Sequence, residues 1–166
     1  AACTVVGGDS APAPTPRPAA TPQQRELALG DPAAVTIRVS GERARVRLAV
    51  TRVEERTTKD LAQFRLNART RRSTPYFATV RVTKLGGGDL SGRQVTLWAL
   101  GSDGTVRPPA EVLGIFRPCR SRPLPSRFAE GDSARTCLLY LMPRGTTLQA
   151  VQYRFGDRPP YSWTVG

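Results

Sequence analysis

Apolar and polar residues alternate along most of this chain from Val35 onward. Every second residue is apolar in VTIRVS and in the RARVRLAV run that follows, and YFATVRVTKL repeats the pattern from Tyr76. A period of two is typical of strands that bury one face and expose the other. Turn residues separate the apolar runs, and no segment has a convincing helical period. The pattern predicts an all-β fold, an antiparallel β-sandwich of seven to eight short strands.

One apolar run is the focus of this prediction, namely FAEGDSARTCLLYLMP at residues 128–143. A Gly-Asp turn precedes its apolar part, and Pro-Arg-Gly follows it. Both flanks are typical of turns that bound a strand. We expect this run to form the central strand of the sandwich, with the other apolar runs packed around it.

Residues 1–34 lack the alternation and are rich in Pro and Ala. Such a segment buries too little apolar surface to offset its ordering entropy, and its prolines favour polyproline II. We therefore predict a disordered tether over residues 1–34 and one β-sandwich domain over residues 35–166. The opening Ala1-Ala2-Cys3 resembles the end of a bacterial lipobox, in which the cysteine becomes the lipidated N-terminus. Lipidation of Cys3 is our prediction, and an unpaired thiol is the alternative.

Positive charge dominates the predicted domain. Residues 35–166 carry 23 basic and 10 acidic side chains, a net charge of +13, and only two of the 25 basic residues of the chain are Lys. Arg suits bidentate contacts with phosphate or carboxylate groups, but the codon usage of a GC-rich actinobacterial genome would produce the same bias. The candidate residues for an anionic partner form two groups: Arg43, Arg45 and Arg47 on one face of a strand, and Arg65, Arg69, Arg71 and Arg72 in an irregular segment.

Cys119 lies in a Pro-rich loop, and Cys137 lies in an apolar strand. We predict a disulfide between them, with reduced thiols or half of a metal site as the alternatives. A structural zinc site needs about four ligands, and the chain has no His and only these two cysteines in its domain. We therefore expect no metal. A disulfide would indicate an oxidising compartment.

The absence of His removes the usual nucleophile–base pairs and His-ligated metals. Two close pairs of carboxylates remain for acid–base catalysis, Glu54 with Glu55 and Glu130 with Asp132, but they fall at a strand end and in a turn. The Gly-rich run at 86–92 lacks the Lys-Ser/Thr and GxGxxG patterns of nucleotide loops. We expect a protein that is not an enzyme and binds no cofactor, with a carboxylate-based hydrolase as a lesser alternative.

Nucleic acid is a disfavoured partner despite the positive charge. Proteins that bind nucleic acid usually combine positive charge with aromatic side chains that stack on bases, or with a helix that enters a groove. The aromatic residues of this chain fall at strand positions typical of a core, and the predicted export argues in the same direction. The residues concerned are Trp98, Trp163, Tyr76, Tyr140 and Tyr153.

The run from Tyr76 to Phe155 resembles a group of bacterial secreted proteins and lipoproteins that includes the mycobacterial immunoprotective extracellular protein family. Its strand and turn motifs are matched here by Val80–Thr83, Ser102–Gly104, Glu130–Pro143 and Leu148–Phe155, with Lys84 where the family often has Asn. The resemblance implies an immunoglobulin-like sandwich and export. It implies no active site, and the Cys119–Cys137 pair is not part of the general pattern.

These observations predict a membrane-anchored extracytoplasmic lipoprotein, or a secreted protein, that acts as a non-catalytic binding module at the cell envelope. The membrane would be reached through the lipid on Cys3. An anionic envelope polymer or a protein partner would be met by the arginines. The alternative is a structural or accessory domain of a surface assembly, in which the positive charge reflects composition only.

Overall fold

The structure is a computed structural model, and it describes residues 25–166 as nine strands and two short helices. The strands are β1 (Arg25–Leu27), β2 (Ala33–Val39), β3 (Glu42–Glu55), β4 (Thr74–Gly87), β5 (Trp98–Gly101), β6 (Val106–Arg107), β7 (Ser133–Met142), β8 (Leu148–Tyr153) and β9 (Tyr161–Thr164). A 3₁₀ helix (Thr58–Leu61) and helix α1 (Ala68–Arg71) lie between β3 and β4. Cys3 and residues 1–24 of the predicted tether lie outside the described residues.

The strands form two sheets that face each other across an apolar core. One sheet has the order β1-β9-β8-β5-β6 and the other β2-β3-β4-β7. Every pairing is antiparallel except that of β1 with β9. In one sheet, β4 pairs with β7 as strand B pairs with strand E in an immunoglobulin-like sandwich. In the other sheet, β8 lies between β5 and β9 as strand F lies between strands C and G. The predicted all-β sandwich is confirmed.

The period of two decides which side chains fill the space between the sheets. On β3, Val46, Leu48 and Val50 are fully buried, whereas Arg45 and Arg47 between them are exposed. Strand β4 repeats this arrangement beside it. Full burial of one such aliphatic side chain stabilises a fold by about 1.5–3 kcal/mol, so the alternation itself fixes which face of each strand turns inward.

Buried polar groups also tie the sheets together. The Tyr140 hydroxyl on β7 donates a hydrogen bond to the carbonyl of Leu97 at 2.9 Å. The indole N–H of Trp163 on β9 donates to the carbonyl of Asp31 at 2.8 Å. Burial raises the pKa of Tyr140 far above its usual range, so the hydroxyl keeps its proton and remains a donor. These bonds satisfy polar atoms that would otherwise be costly to bury.

The prediction that residues 128–143 supply the central strand is wrong. Strand β7 from that segment lies at an edge of its sheet and pairs with β4 alone. The chain leaves β4 to build β5 and β6 in the opposite sheet, and it returns to the side of β4 that is still free. Irregular segments then cover the outer edge of β7: Ala110 N–H donates to the Leu139 carbonyl at 2.7 Å, and Cys137 N–H to the Arg120 carbonyl at 3.0 Å.

The sandwich also begins before the predicted boundary at residue 35. Strand β1 lies in register with β9, with Arg25 opposite Tyr161, and the Arg25 guanidinium lies 4.6 Å from the centre of that ring. Strand β2 starts at Ala33. Residues 25–34 therefore belong to the fold, and nine strands replace the predicted seven to eight. A three-residue strand is too short to show an alternation in the sequence.

Candidate functional site

The outer face of the sheet β2-β3-β4-β7 carries the first predicted group of arginines. Arg43, Arg45 and Arg47 occupy alternate positions of β3, and all three are exposed. Alternate side chains of a strand point to the same side and recur about every 7 Å. The three guanidinium groups therefore project from one surface of the sheet.

Strand pairing brings three further arginines to this surface. Arg38 on β2 lies directly opposite Arg43. Arg81 on β4 lies opposite Arg135 on β7. On its other side it lies opposite Ala49, which points outward like Arg47. All three added arginines are exposed. We call the six residues the arginine face: Arg38, Arg43, Arg45, Arg47, Arg81 and Arg135.

The sequence prediction missed Arg38, Arg81 and Arg135 as site residues. Arg38 and Arg81 stand at polar positions of predicted strands, so the alternation already placed their side chains outward. Their neighbourhood depends on strand order and register, which the alternation does not encode. Arg135 joins the site only because β7 returns to the free side of β4.

The arginine face has no ionic partner within the structure. The ion pairs of residues 25–166 involve Arg52 and Arg56 with Glu54, and Arg107 with Asp103, and none involves the arginine face. Like charges placed directly opposite each other in a sheet are destabilising. Two such pairs occur here, Arg38 with Arg43 and Arg81 with Arg135.

The Asp103–Arg107 pair shows what a paired arginine looks like in this protein. The guanidinium of Arg107 lies 2.6 Å from Asp103 Oδ2. Its hydrogen bonds, together with one from Thr105 N–H, lower the pKa of the Asp103 carboxyl to about 2. No side chain of the arginine face has a carboxylate so placed among the described residues.

Glycines leave part of the arginine face without covering side chains. Gly86 lies opposite Arg45, and Gly87 has a φ of +83°. A Cβ on Gly87 would clash with the carbonyl oxygen of Arg43, and Gly88 N–H donates to the same oxygen at 3.0 Å. The end of β4 can therefore bend against the start of β3 only because these residues have no side chain.

Two carboxylates border the arginine face. Glu42 stands beside Gly88 at the start of β3. The Glu130 carboxylate comes within 3.5 Å of where a Cβ on Gly86 would lie. Neither carboxylate comes within ion-pair distance of an arginine in the described residues. Six cations on the surface and two carboxylates at its border leave the surface strongly positive.

The second predicted group of arginines does not join the first. Arg65 precedes helix α1, Arg69 and Arg71 lie on it, and Arg72 ends it. This connection follows the end of β3, whereas Arg43 and Arg45 stand at its start. Glu55 is ten positions after Arg45 along this strand, a span of about 33 Å. The two groups are separate basic regions.

The other half of the same sheet face is covered by an apolar cap. Phe77 on β4 and Leu139 on β7 point outward there and are buried under Leu61 and Phe116 from two connecting segments. The ring of Phe116 meets that of Phe77 edge-on, with centroids 5.5 Å apart. Such aromatic contacts add to the free energy of burial. We call residues 56–73 and 110–120 the cap segments.

The predicted disulfide holds one cap segment to the sheet. Cys119 and Cys137 are bonded, with their Cα atoms 5.1 Å apart, so this prediction is confirmed. Cys137 faces outward from β7, and Cys119 is buried within the cap. Disulfides persist in oxidising compartments, which fits an extracytoplasmic location.

The carboxylates considered for acid–base catalysis have other partners. Glu54 accepts hydrogen bonds from Arg52 and Arg56, at 2.5 and 3.2 Å. Glu55 points away from Glu54 and accepts a bond from the Tyr76 hydroxyl at 2.9 Å, and burial together with this carboxylate raises the pKa of Tyr76.

The pair Glu130 and Asp132 lies in a turn. Asp132 accepts the N–H of Ala129 at 2.8 Å, the bond of a turn-forming aspartate. A shallow hollow elsewhere, beside β8 and β9, is lined by a single carboxylate, Glu26, together with Gln149 and Ser162. Within residues 25–166, no three potential ligands among Cys, Asp and Glu stand close enough to hold a metal ion.

Comparisons with protein-family models, with curated proteins and with solved structures find no match to this chain. The resemblance to the secreted immunoglobulin-like family therefore remains a prediction. Neither short helix of the described region has the length or the apolar character needed to cross a membrane.

Proposed function

We propose that this protein is a non-catalytic binding module of the cell envelope, and that its arginine face binds an anionic envelope polymer. The observation that carries the proposal is the set of six exposed arginines on one sheet face, two pairs of them directly opposed and none in an ion pair. Opposed like charges cost stability in the free protein. An anion bridging them would remove that cost.

The chemistry of the arginine face suits phosphate. A guanidinium group presents its donors in a planar fork that contacts two oxygens of a phosphate or carboxylate at once. Neighbouring strands lie about 4.8 Å apart, and outward residues recur about every 7 Å along a strand. This two-dimensional array favours a polymer with repeated charges over one small anion. A chain of glycerol phosphate units is the simplest polymer of that kind.

The aromatic residues favour this partner over nucleic acid. Single-stranded nucleic acids are held by exposed aromatic rings on which bases stack. Trp163 and Tyr140 are fully buried in the core, and Phe77 and Phe116 are buried beneath the cap. Strands β2 and β3, which carry four of the six arginines, contain no aromatic residue. A polyanion without bases requires only the guanidinium groups.

Two observations support the proposed location, one from the structure and one from the sequence. The Cys119–Cys137 bond is typical of proteins outside the cytoplasm. The sequence Ala1-Ala2-Cys3 supports lipidation of Cys3, and the Pro-rich residues after it would hold the sandwich away from the membrane. An anchored domain with a positive face would meet envelope polymers at high local concentration.

Charge reversal with a matched control tests the proposal. The R45E/R47E/R81E variant reverses three charges of the arginine face, and R127E/R144E/R158E reverses three exposed arginines in turns and bends. Both variants have the same net charge. We expect the first to weaken binding to poly(glycerol phosphate) at least tenfold, because it replaces three charge contacts of about 0.5–1 kcal/mol each with repulsion. Titration calorimetry at several salt concentrations measures the affinity.

The control variant should bind within about threefold of the unaltered protein, because its arginines are dispersed. The salt dependence of binding should also become shallower for R45E/R47E/R81E only. Equal weakening of the two variants would mean that net charge alone attracts the polymer. Absence of binding by the unaltered protein would exclude this class of partner.

A further inference from the structure

The loop between Val112 and Phe116 carries the two most conspicuous exposed apolar side chains of the described residues. Leu113 is 92% exposed and Ile115 is 75% exposed, and Gly114 separates them. Two large aliphatic side chains with this much exposure within three residues are unusual on a protein that faces only water. Neither side chain contributes to the apolar core of either cluster.

This loop stands on a firm base. Phe116 is buried directly after Ile115, and its ring meets Phe64 edge-on with centroids 5.3 Å apart. Gln63 donates a hydrogen bond to the Ile115 carbonyl at 3.3 Å. The disulfide at Cys119 ties the segment to β7 three residues later. The apolar tip is therefore presented by a braced loop.

Three exposed cations follow the tip along the chain. Arg117, Arg120 and Arg122 follow it within seven residues of Ile115, all of them are exposed, and none takes part in an ion pair. Glu111 is the acidic residue on the other side of the loop. Apolar side chains flanked by basic ones match an anionic bilayer, where aliphatic groups enter the acyl boundary and arginines remain with the headgroups.

We propose that Leu113 and Ile115 insert into the surface of an anionic lipid bilayer and dock this domain on the membrane. This surface differs from the arginine face, so the two can be tested separately. The flanking arginines supply attraction to the headgroups, and the two aliphatic side chains supply partitioning. Transfer of each side chain out of water strengthens partitioning by roughly tenfold or more.

Vesicle binding tests the proposal with the full 166-residue chain, without lipid on Cys3. We expect it to cosediment with phosphatidylglycerol vesicles and not with phosphatidylcholine vesicles. The L113S/I115S variant should partition into phosphatidylglycerol vesicles at least tenfold less, because it removes apolar surface without a change of charge. Both residues are exposed, so its urea unfolding midpoint should not move. Its affinity for poly(glycerol phosphate) in solution should also be unchanged.

A tryptophan at the tip reports insertion directly. The emission of the tryptophan introduced in the L113W variant is obtained by subtracting the spectrum of the unaltered protein. This emission should shift to the blue on phosphatidylglycerol vesicles, and lipids brominated on their acyl chains should quench it. The R45E/R47E/R81E variant should still show this quenching. That result separates failure of membrane docking from failure of the arginine-face proposal.

Three results would overturn the membrane proposal. One is equal partitioning of L113S/I115S and the unaltered chain. Another is an L113W signal that brominated lipids do not quench, which would place the tip outside the bilayer. The third is concentration-dependent self-association that L113S/I115S abolishes while vesicle binding stays constant, which would make the tip a contact between copies of this chain.

Discussion

The two halves of one sheet face have opposite characters. Along β4 the outward residues run from Phe77 through Thr79 to Arg81, and along β7 from Leu139 through Cys137 to Arg135. The apolar end is buried under the cap segments, and the basic end is open. Both ends belong to the same strands. The strand structure itself therefore requires neither an apolar nor a basic outer surface. The capped half adds to the stability that the core between the sheets provides, and the open half reduces it.

This difference separates a stabilised region of the sheet from the proposed binding surface. Burial of Phe77 and Leu139 stabilises the fold through removal of apolar surface from water. Opposed arginines do the reverse, and nothing in residues 25–166 neutralises them. Under the proposed function, an anionic partner would relieve this repulsion. The comparison predicts that variants of the cap change stability without binding, and that variants of the arginine face change binding with little loss of stability.

Removal of the disulfide should have the largest effect on stability. A bond that closes a loop of this length contributes about 3 kcal/mol, mainly by restricting the unfolded chain. We therefore expect C119A/C137A to lose roughly that free energy of unfolding in urea. Its affinity for poly(glycerol phosphate) should stay within about twofold, because the arginine face lies on the other half of the sheet.

The C3A variant is the matched control for this experiment, since it removes a cysteine and leaves the Cys119–Cys137 bond in place. It should unfold at the same urea concentration as the unaltered protein. Loss of polymer binding together with stability in C119A/C137A would contradict the separation of the two halves.

Removal of one arginine from an opposed pair should change the free energy of unfolding less than loss of the disulfide does, and should increase it. Arg135 faces Arg81, so R135T removes direct repulsion, and we expect it to raise the free energy of unfolding by about 0.2–1 kcal/mol at low salt. The same variant should bind poly(glycerol phosphate) severalfold more weakly. Urea unfolding and calorimetry measure the two effects on one preparation.

R47T controls for the change of residue type, because Arg47 faces Thr83 and Ala34 and not another arginine. The stability difference between R135T and R47T should vanish near 1 M salt, where the screening length falls to about 3 Å. An equal gain in both variants at every salt concentration would mean that strand propensity, and not repulsion, is responsible.

The sequence was sufficient for the fold class and for the facing of the main strands. Alternation placed Val46 and Leu48 inward and Arg45 outward, and the structure agrees. The turn residues around β7 correctly bounded that strand. They could not show that it lies at an edge, because neighbours in a sheet are decided by the path of the chain between strands.

The candidate site was half visible in the sequence. Arg43, Arg45 and Arg47 form a stripe within one strand, which periodicity shows directly. Arg38 and Arg135 come from other strands, and only register places them beside that stripe. The second predicted group, from Arg65 to Arg72, is adjacent in sequence and lies beyond the far end of β3, apart from that stripe.

The most direct test of the arginine face is an NMR titration that observes the Nε–H signals of individual arginines. With poly(glycerol phosphate) added at mildly acidic pH, we expect the signals of Arg45, Arg47 and Arg81 to move together and furthest. Those of Arg127 and Arg144, in turns elsewhere, should move little. Uniform shifts over all arginines, or the largest shifts outside the arginine face, would contradict the account.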